Sequence, residues 1–387
     1  MTLLDKITEK VLAQIDDTGF TQSGAFNLRH NGIALCHGDS AHIKIKKKQD
    51  KPGIDIFIDG KTDGEEVHIP VIVDASGMTD VVYNDFYVAE GANVTIVAGC
   101  GIHNSGCNES RHDGIHTFHV GKNANVKYVE NHYAEGNGTG GKILNPVTKI
   151  YVGENSVFTL DTAQIKGVDS TVRETNVELG KNAKLYVTER LMTDGEQKAE
   201  SNIEVQLNGE DSSAQIVSRS VGKGNSVQTF HPNAIGNSKC QAHIQCDSII
   251  MDHAEVGSIP EIRAKNIDAA IIHEAAIGRI NDEQLLKLRT LGLTEEEAEE
   301  VSSWENRIPW ENNNYTQLLS AGRKEGGLIL KELHPVSGRQ FRIDKTHPTI
   351  IGQLKDQADL VLPSTAVSRV HASIEQRAGS LYLKELN

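Results

Sequence analysis

Apolar and polar residues alternate along five related segments: FYVAEGANVTI (86–96), FHVGKNANVKY (118–128), IYVGENSVFTL (150–160), VELGKNAKLYV (177–187) and VQLNGEDSSAQI (205–216). Each reads as a short strand, a Gly/Asn/Glu turn and a second strand, because period-two alternation marks a strand with one buried face. Anchored on Val88, Val120, Val152, Leu179 and Leu207, the segments recur at steps of 32, 32, 27 and 28 residues. A sustained period of this size means stacked supersecondary units. The short polar turn suits a tight corner. Residues 30–260 carry no long amphipathic helix pattern, so the crossovers that parallel strands require are not helical. A parallel β-helix supplies them, each strand returning one coil higher, with two coils of roughly 14–16 residues in each repeat. An antiparallel sandwich is the alternative on pattern alone.

The periodicity changes at both ends. In MTLLDKITEKVLAQI, Leu4, Ile7, Val11, Leu12 and Ile15 recur at helical spacing, which predicts a short amphipathic helix. Charges interrupt this stretch, so it is not read as a signal peptide. In NDEQLLKLRTLGLTEEEAEEV (281–301), Leu285, Leu288 and Leu291 mark an apolar helix face, and Thr294 with Glu297 is a capping-box pair opening a second helix. SSWENRIPWENNNYTQ (302–317) is polar and aperiodic, and strand patterns return from Gly327. The expected organisation is an N-terminal helical segment (1–28), a β-helix core (29–267), a C-terminal helical region (268–301), a linker (302–325) and a small β module (326–387).

Composition narrows the function classes. Net charge is −14, and KIKKKQDK (44–51) is the one concentrated basic run, so no nucleic-acid partner is expected. No apolar run reaches the ~18 residues that span a bilayer, which argues against a membrane partner. Five cysteines, an odd number, argue against a disulfide framework. A reducing, cytoplasmic setting follows, with thiols free to bind metal or carry sulfur. At 5% aromatic residues the chain does not suit a polysaccharide-processing groove.

Four stretches could carry chemistry. GCGIHNSGCNESRHDGIHTFHV holds Cys100, His103, Cys107, His112, His116 and His119, ligand types that suit zinc or iron but in no recognised zinc-finger spacing. The alternative is a polar coil whose histidines satisfy one another and nearby backbone. GNGTGGKI (136–143) fits G-x-x-x-x-G-K, but Ile143 stands where a phosphate loop needs Ser or Thr, and Pro146 argues against the helix behind it. It is read as a glycine-rich loop. CQAHIQCDSIIMDH places Cys240 and Cys246 at an even separation, so on a continuous strand they share a face. Thiolates are nucleophiles and soft metal ligands. In DAAIIHEAAIGRI, His273 and Glu274 are adjacent, so on a strand they point to opposite faces and reach one site only where the chain bends.

The run CDSIIMDHAEVGSIPEIRAKNIDAAIIHEAAIGRINDEQLLKLRTLGLTEEEAEE (246–300) resembles the C-terminal signature of the SufB/SufD family of iron–sulfur cluster assembly proteins. That signature has a Cys-Asp-Ser start, a Pro, a His-Glu-Ala block and two following helices. SRSVGKGNSVQTF (218–230) resembles the preceding coils, and the similarity covers roughly residues 1–301. The resemblance implies a mainly β fold, a right-handed parallel β-helix with short helical flanks. It implies a scaffold rather than an enzyme, which receives sulfur from a donor protein and builds a transient Fe-S cluster where two such subunits pair as a homodimer or heterodimer. A SufC-type ABC ATPase supplies ATP hydrolysis. A flavin reductant stays open. The family's Cys falls on Cys246, with one residue fewer before the Pro, and its His and Glu fall on His273 and Glu274. Cys246 is thus expected as sulfur acceptor or cluster ligand, with His273 and Glu274 as ligands or proton partners. Family members continue the last helix with a hydrophobic stretch, which VSSWENRIPW replaces here in the ATPase-docking region.

The tail TIIGQLKDQADLVLPSTAVSRVHASIEQRAGSLYLKELN resembles a forkhead-associated (FHA) domain. The resemblance implies phosphothreonine-peptide binding, with Ser368 and Arg369 in the phosphate-contacting loop and His371 holding that loop. It supplies the alternative function, a phosphopeptide-binding adaptor. Gln353 stands where the family often has Arg, and the chain stops at Asn387, before the family's last strands. A partial, unstable β-sandwich is the expectation.

Overall fold

A computed structural model describes residues 6–16 and 24–279 and, beyond them, the strands Leu328–Lys331, Gln340–Ile343, Thr349–Gly352, Leu360–Val361, Ala372–Arg377 and Ser380–Glu385. The chain divides into two compact units, residues 1–305 and 306–387. In the second unit, the first two of these strands pair antiparallel and the other four form one sheet. Of the expected C-terminal helical region (268–301), residues 269–279 instead form the strand Ala269–Arg279, which stacks on Cys240–Ile250 as a further rung, because their alternating pattern continues the β-helix; the predicted helices at 281–301 and the linker at 302–325 lie outside the described residues.

The first unit is a parallel β-helix of about eight turns. Its strands form two sheets of eleven strands each. The chain alternates between them: Asn93–His103 lies in one sheet, Ser110–Val120 in the other, and Asn125–Glu135 returns to the first. The return is in register, Asn125 on Asn93 and Val126 on Val94. Each sequence repeat is therefore one full turn, not two coils. The 14–16-residue unit is half a turn, and two half-turns look alike in sequence because each is an alternating strand ending in a polar corner.

The repeat anchors form a single inward column. Val88, Val120, Val152, Leu179 and Leu207 pair successively across the rungs. Ile56, Phe86, Phe118, Ile150, Val177 and Val205 form the column beside it. Phe86 and Phe118 stack at 4.3 Å, and Phe158 meets Phe118 edge-on at 5.2 Å. One rung's side chains thus cover the next, which is why a lone repeat could not bury its own face.

The corners explain the Gly/Asn turn. Gly91, Asn123, Asn155, Asn182 and Asp211 stand at successive corners with φ of 77°, 55°, 58°, 53° and 58°. Asn and Asp tolerate this left-handed region better than other residues with a side chain. The amides also link the corners: Asn155 Nδ2 donates to Asn123 Oδ1 at 3.2 Å, and Asn182 Nδ2 to Asn155 Oδ1 at 3.0 Å.

The N-terminal helix, Lys6–Ile15, packs on the outer face of Asn93–His103. Val11, Leu12 and Ile15 are buried as expected, whereas Ile7 is exposed and Thr8 is buried in its place. The strand offers Gly99 and Gly101 there. A Cβ on Gly99 would lie 2.5 Å from the Ile15 carbonyl oxygen, and one on Gly101 would lie 2.2 Å from Val11 Cγ1. The loop GNGTGGKI leads into a short strand, Lys142–Leu144, not a helix. Its glycines allow backbone stacking, since a Cβ on Gly140 would sit 2.0 Å from the Asn108 carbonyl oxygen.

The corner geometry gives an inverted substitution order. In urea unfolding, Asn155→Gly is expected to be more stable than Asn155→Ala by about 1 kcal/mol, because Ala pays the left-handed strain that Gly escapes. Equal stability, or Ala the more stable, would contradict the assigned corner conformation.

Candidate functional site

Period-two alternation fixes what Cys246 can meet. On Cys240–Ile250, the residues Cys240, Ala242, Ile244 and Cys246 are buried and face inward, while His243, Gln245 and Asp247 face outward. The strand lies between Ser212–Gly222 and Ala269–Arg279, with Cys246 opposite Ser218 on one side and Ala275 on the other. In the strand Ala269–Arg279, His273 pairs with inward Ile244 and Glu274 with outward Gln245. His273 Nε2 consequently lies 3.4 Å from Cys246 Sγ. Glu274 lies on the opposite face, its Oε2 3.5 Å from His243 Nε2. No bend brings His273 and Glu274 to one side.

Cys246 is 2% exposed. The Ser258 hydroxyl donates to its sulfur at 3.4 Å from the opposite sheet. Burial pushes the thiol up, the Ser258 bond offsets part of this, and the charges of Asp247 and Glu189 add to the rise. At neutral pH the resting group is a thiol, and the neighbouring imidazole is positioned to take its proton. Imidazole and thiolate are also a donor set that suits iron or zinc.

Behind Cys246 runs a line of buried polar side chains that the sequence reading missed. Glu130, Thr162, Glu189, Ser218 and Cys246 occupy one inward column on successive rungs. Glu130 is ion-paired with buried Arg173, and Arg173 Nε also stands 3.7 Å from Glu189. Ser201 and Ser218 donate to Glu189 at 2.6 and 2.9 Å. Burial alone would raise the Glu130 carboxyl, but Arg173 and then His132 hold it well below the usual carboxylate range. The parity was available in the sequence: counting by twos from Val126 through Tyr128 reaches Glu130 and His132. The partner Arg173, 43 residues on, was not.

The Cys/His segment is not gathered into one place. Cys100, His112 and His116 are buried in the interior. His112 Nδ1 meets Asp80 at 3.2 Å, and His116 Nδ1 meets the Tyr128 hydroxyl at 2.8 Å. His103 contacts Ser105 Oγ at 2.6 Å and Glu135 at 3.3 Å. Cys107 is exposed at a corner, and His119 stacks on the outer face between Tyr87 and Tyr151 at 5.1 and 5.6 Å. Among the described residues, no three His, Cys, Asp or Glu side chains are grouped to hold a metal ion. Ser368, Arg369 and His371 lie outside the described residues. Among the described residues, no helix is long and apolar enough to cross a membrane.

Residues 72–302 match the SUF system FeS cluster assembly, SufBD core domain family, and residues 349–387 match the FHA domain. An iron-sulfur cluster assembly SufBD family protein of Methanocaldococcus jannaschii is 28% identical over 289 residues, covering 69% of this chain and 90% of the relative. A Pyrococcus horikoshii SufBD family protein is 28% identical over 192 residues, covering 49% of this chain and 58% of the relative. One from Galdieria sulphuraria is 29% identical over 185 residues, covering 46% and 83%. The chain thus spans most of the length of two of these relatives and somewhat more than half of the third.

The interior network has a pH signature. Burial holds His116 down at about 4, so it is neutral when folded and charges near pH 6.5 when unfolded. The stability it supplies is complete above pH 6.5 and is lost as pH falls towards 4, amounting to about 2–3 kcal/mol by pH 4.5. Urea unfolding of the wild type and His116→Gln at pH 7.5 and 4.5 should show a pH dependence flatter by that amount in the variant. Parallel pH profiles would show that His116 is not buried neutral.

Proposed function

Because the chain belongs to the SufBD family of iron–sulfur cluster assembly proteins, we propose that it accepts sulfur at Cys246 and supports a nascent cluster where its last coils meet a second subunit. The observation that carries this reading is the 3.4 Å contact between Cys246 Sγ and His273 Nε2 on the two final rungs described. A thiol beside an imidazole becomes a nucleophile when its proton moves to the ring, which is the general requirement for covalent catalysis by cysteine. Once sulfur is in place, thiolate and imidazole are both competent iron ligands.

Glu274 has a different place in this reading. It faces outward beside His243, and so belongs to the surface that a partner would cover rather than to the interior pocket. A SufB/SufD-type second subunit, as a homodimer or heterodimer, is the proposed partner at that surface. A sulfur donor protein supplies the sulfane sulfur. A SufC-type ATPase supplies ATP hydrolysis, and this chain serves as scaffold in the cytoplasm. The cluster is cargo in this scheme, not a resident group.

Anaerobic reconstitution with ferrous iron and sulfide should give sulfur-to-iron charge-transfer absorbance in the wild type. Cys246→Ala should lose most of it, and His273→Ala should lower the yield severalfold while leaving far-UV circular dichroism unchanged. Cys246→Ala reconstituting like the wild type would refute the assignment.

A further inference from the structure

The corner that follows the strand Asn93–His103 holds a set of contacts in which Cys246 takes no part. His103 ends that strand, and Glu135 ends Asn125–Glu135 directly beside it, one turn on. Ser105 follows at the corner and is exposed. The three side chains form a line. Ser105 Oγ lies 2.6 Å from His103 Nε2, and His103 Nδ1 lies 3.3 Å from Glu135 Oε1. An ionised carboxylate only accepts, so Nδ1 carries the hydrogen of the neutral ring. Nε2 is then the unprotonated nitrogen, and the Ser105 hydroxyl donates to it.

Both ends of this line are held in place. Glu135 Oε2 accepts from the Tyr133 hydroxyl at 2.8 Å and is ion-paired with Lys10 of the N-terminal helix. Burial would raise this carboxyl, but its bonds to Lys10, Tyr133 and His103 hold it below the usual range. At the other end, Asn104 is fully buried. Its Oδ1 accepts from the Gly106 N–H at 3.0 Å, and its amide donates to the Asn108 carbonyl at 2.8 Å, which braces the corner around Ser105. The glycine-rich loop at 136–143 packs on the same corner. A Cβ on Gly136 would lie 2.2 Å from the Asn104 carbonyl oxygen, and one on Gly138 would lie 2.1 Å from that of Gly106. Asn137 stands between those two contacts, level with Ser105. The alternate glycines of GNGTGG thus support a serine, not a phosphate.

We propose that this corner is an esterase site, with Ser105 as nucleophile, His103 as general base and Glu135 as the residue that positions the ring. A nucleophile bonded to a base that a third group orients is the arrangement that covalent catalysis uses. Ser105 Oγ attacks the carbonyl carbon of an ester, forming a new C–O bond, and its proton passes to His103 Nε2. The ester's own C–O bond breaks, and the leaving alcohol takes the electron pair and that proton. Water then attacks the acylated serine, giving a proton to His103. The acid is released, and the serine oxygen takes that proton back. Glu135 holds the tautomer and offsets the charge of the imidazolium. The exposed side chains nearby, Cys107, Asn108, Asn137 and Thr139, are small or polar, which suits a short acyl group over a long chain.

The test uses the full chain and p-nitrophenyl acetate, before and after treatment with diisopropyl fluorophosphate, which marks activated serines irreversibly. The wild type is expected to hydrolyse the ester with saturation. Treatment should abolish this and leave the adduct on Ser105, located by mass spectrometry. Ser105→Ala should lose both hydrolysis and adduct. His103→Gln should lower the saturating rate about 100-fold or more. Glu135→Gln should lower it at least about tenfold while the half-saturating ester concentration stays the same, since Glu135 acts through the ring and not on the ester. Cys107→Ser should match the wild type, which excludes the neighbouring thiol as nucleophile. Circular dichroism checks each variant, and those that fold decide. Hydrolysis unchanged in Ser105→Ala or in His103→Gln would overturn the assignment. So would an adduct on any residue other than Ser105, or a folded wild type that neither hydrolyses the ester nor takes the label.

Discussion

In-register stacking of parallel strands decides which side chains of this chain can meet. Each turn of the β-helix places its residues directly over their counterparts one turn earlier, as Val120 lies over Val88 and Cys246 beside Ser218. Successive residues alternate faces. Position along the sequence is thereby converted into a column and a side, in or out. The apolar columns through Phe86 and Val88 and the polar column through Glu130, Glu189 and Cys246 follow from the same rule. The separation of His273 from Glu274 follows from it as well.

A polar column inside a β-helix is costly unless its members answer one another. Here Arg173 answers Glu130 and approaches Glu189, Ser201 and Ser218 donate to Glu189, and the Tyr128 hydroxyl donates to Glu130 at 3.1 Å. The satisfied part is a fixed frame.

Much of the fold was legible because the repeat is written in local features: alternation, a corner Asn or Gly, and a constant step. The number of turns per repeat was not, since each half-turn looks like the next and only pairing distinguishes them. For the site, the rule that His273 and Glu274 oppose each other could be read from spacing. Which of them faces Cys246 depends on register between the strands at 240–250 and 269–279, and no local signal sets that. The six Cys and His residues at 100–119 looked like one group because they are close in sequence. Alternation and the corner at 104–109 distribute them between interior, corner and outer face. The network around Arg173 depends on partners 41 and 43 residues away, so neighbouring sequence could not reveal it.

We propose that Cys246 and His273, on the adjacent strands Cys240–Ile250 and Ala269–Arg279, act on one metal or sulfur from the inner face of their sheet, and that Glu274 does not join them there. Cadmium is a soft ion that binds thiolate and imidazole together. Nitrogen-15 spectra of histidine-labelled protein loaded with cadmium-113 would measure this directly, through coupling between the metal and a ring nitrogen. The account predicts one coupled histidine, absent in both Cys246→Ser and His273→Gln and retained in Glu274→Gln. A coupled histidine that survives His273→Gln, or disappears in Glu274→Gln, would contradict it.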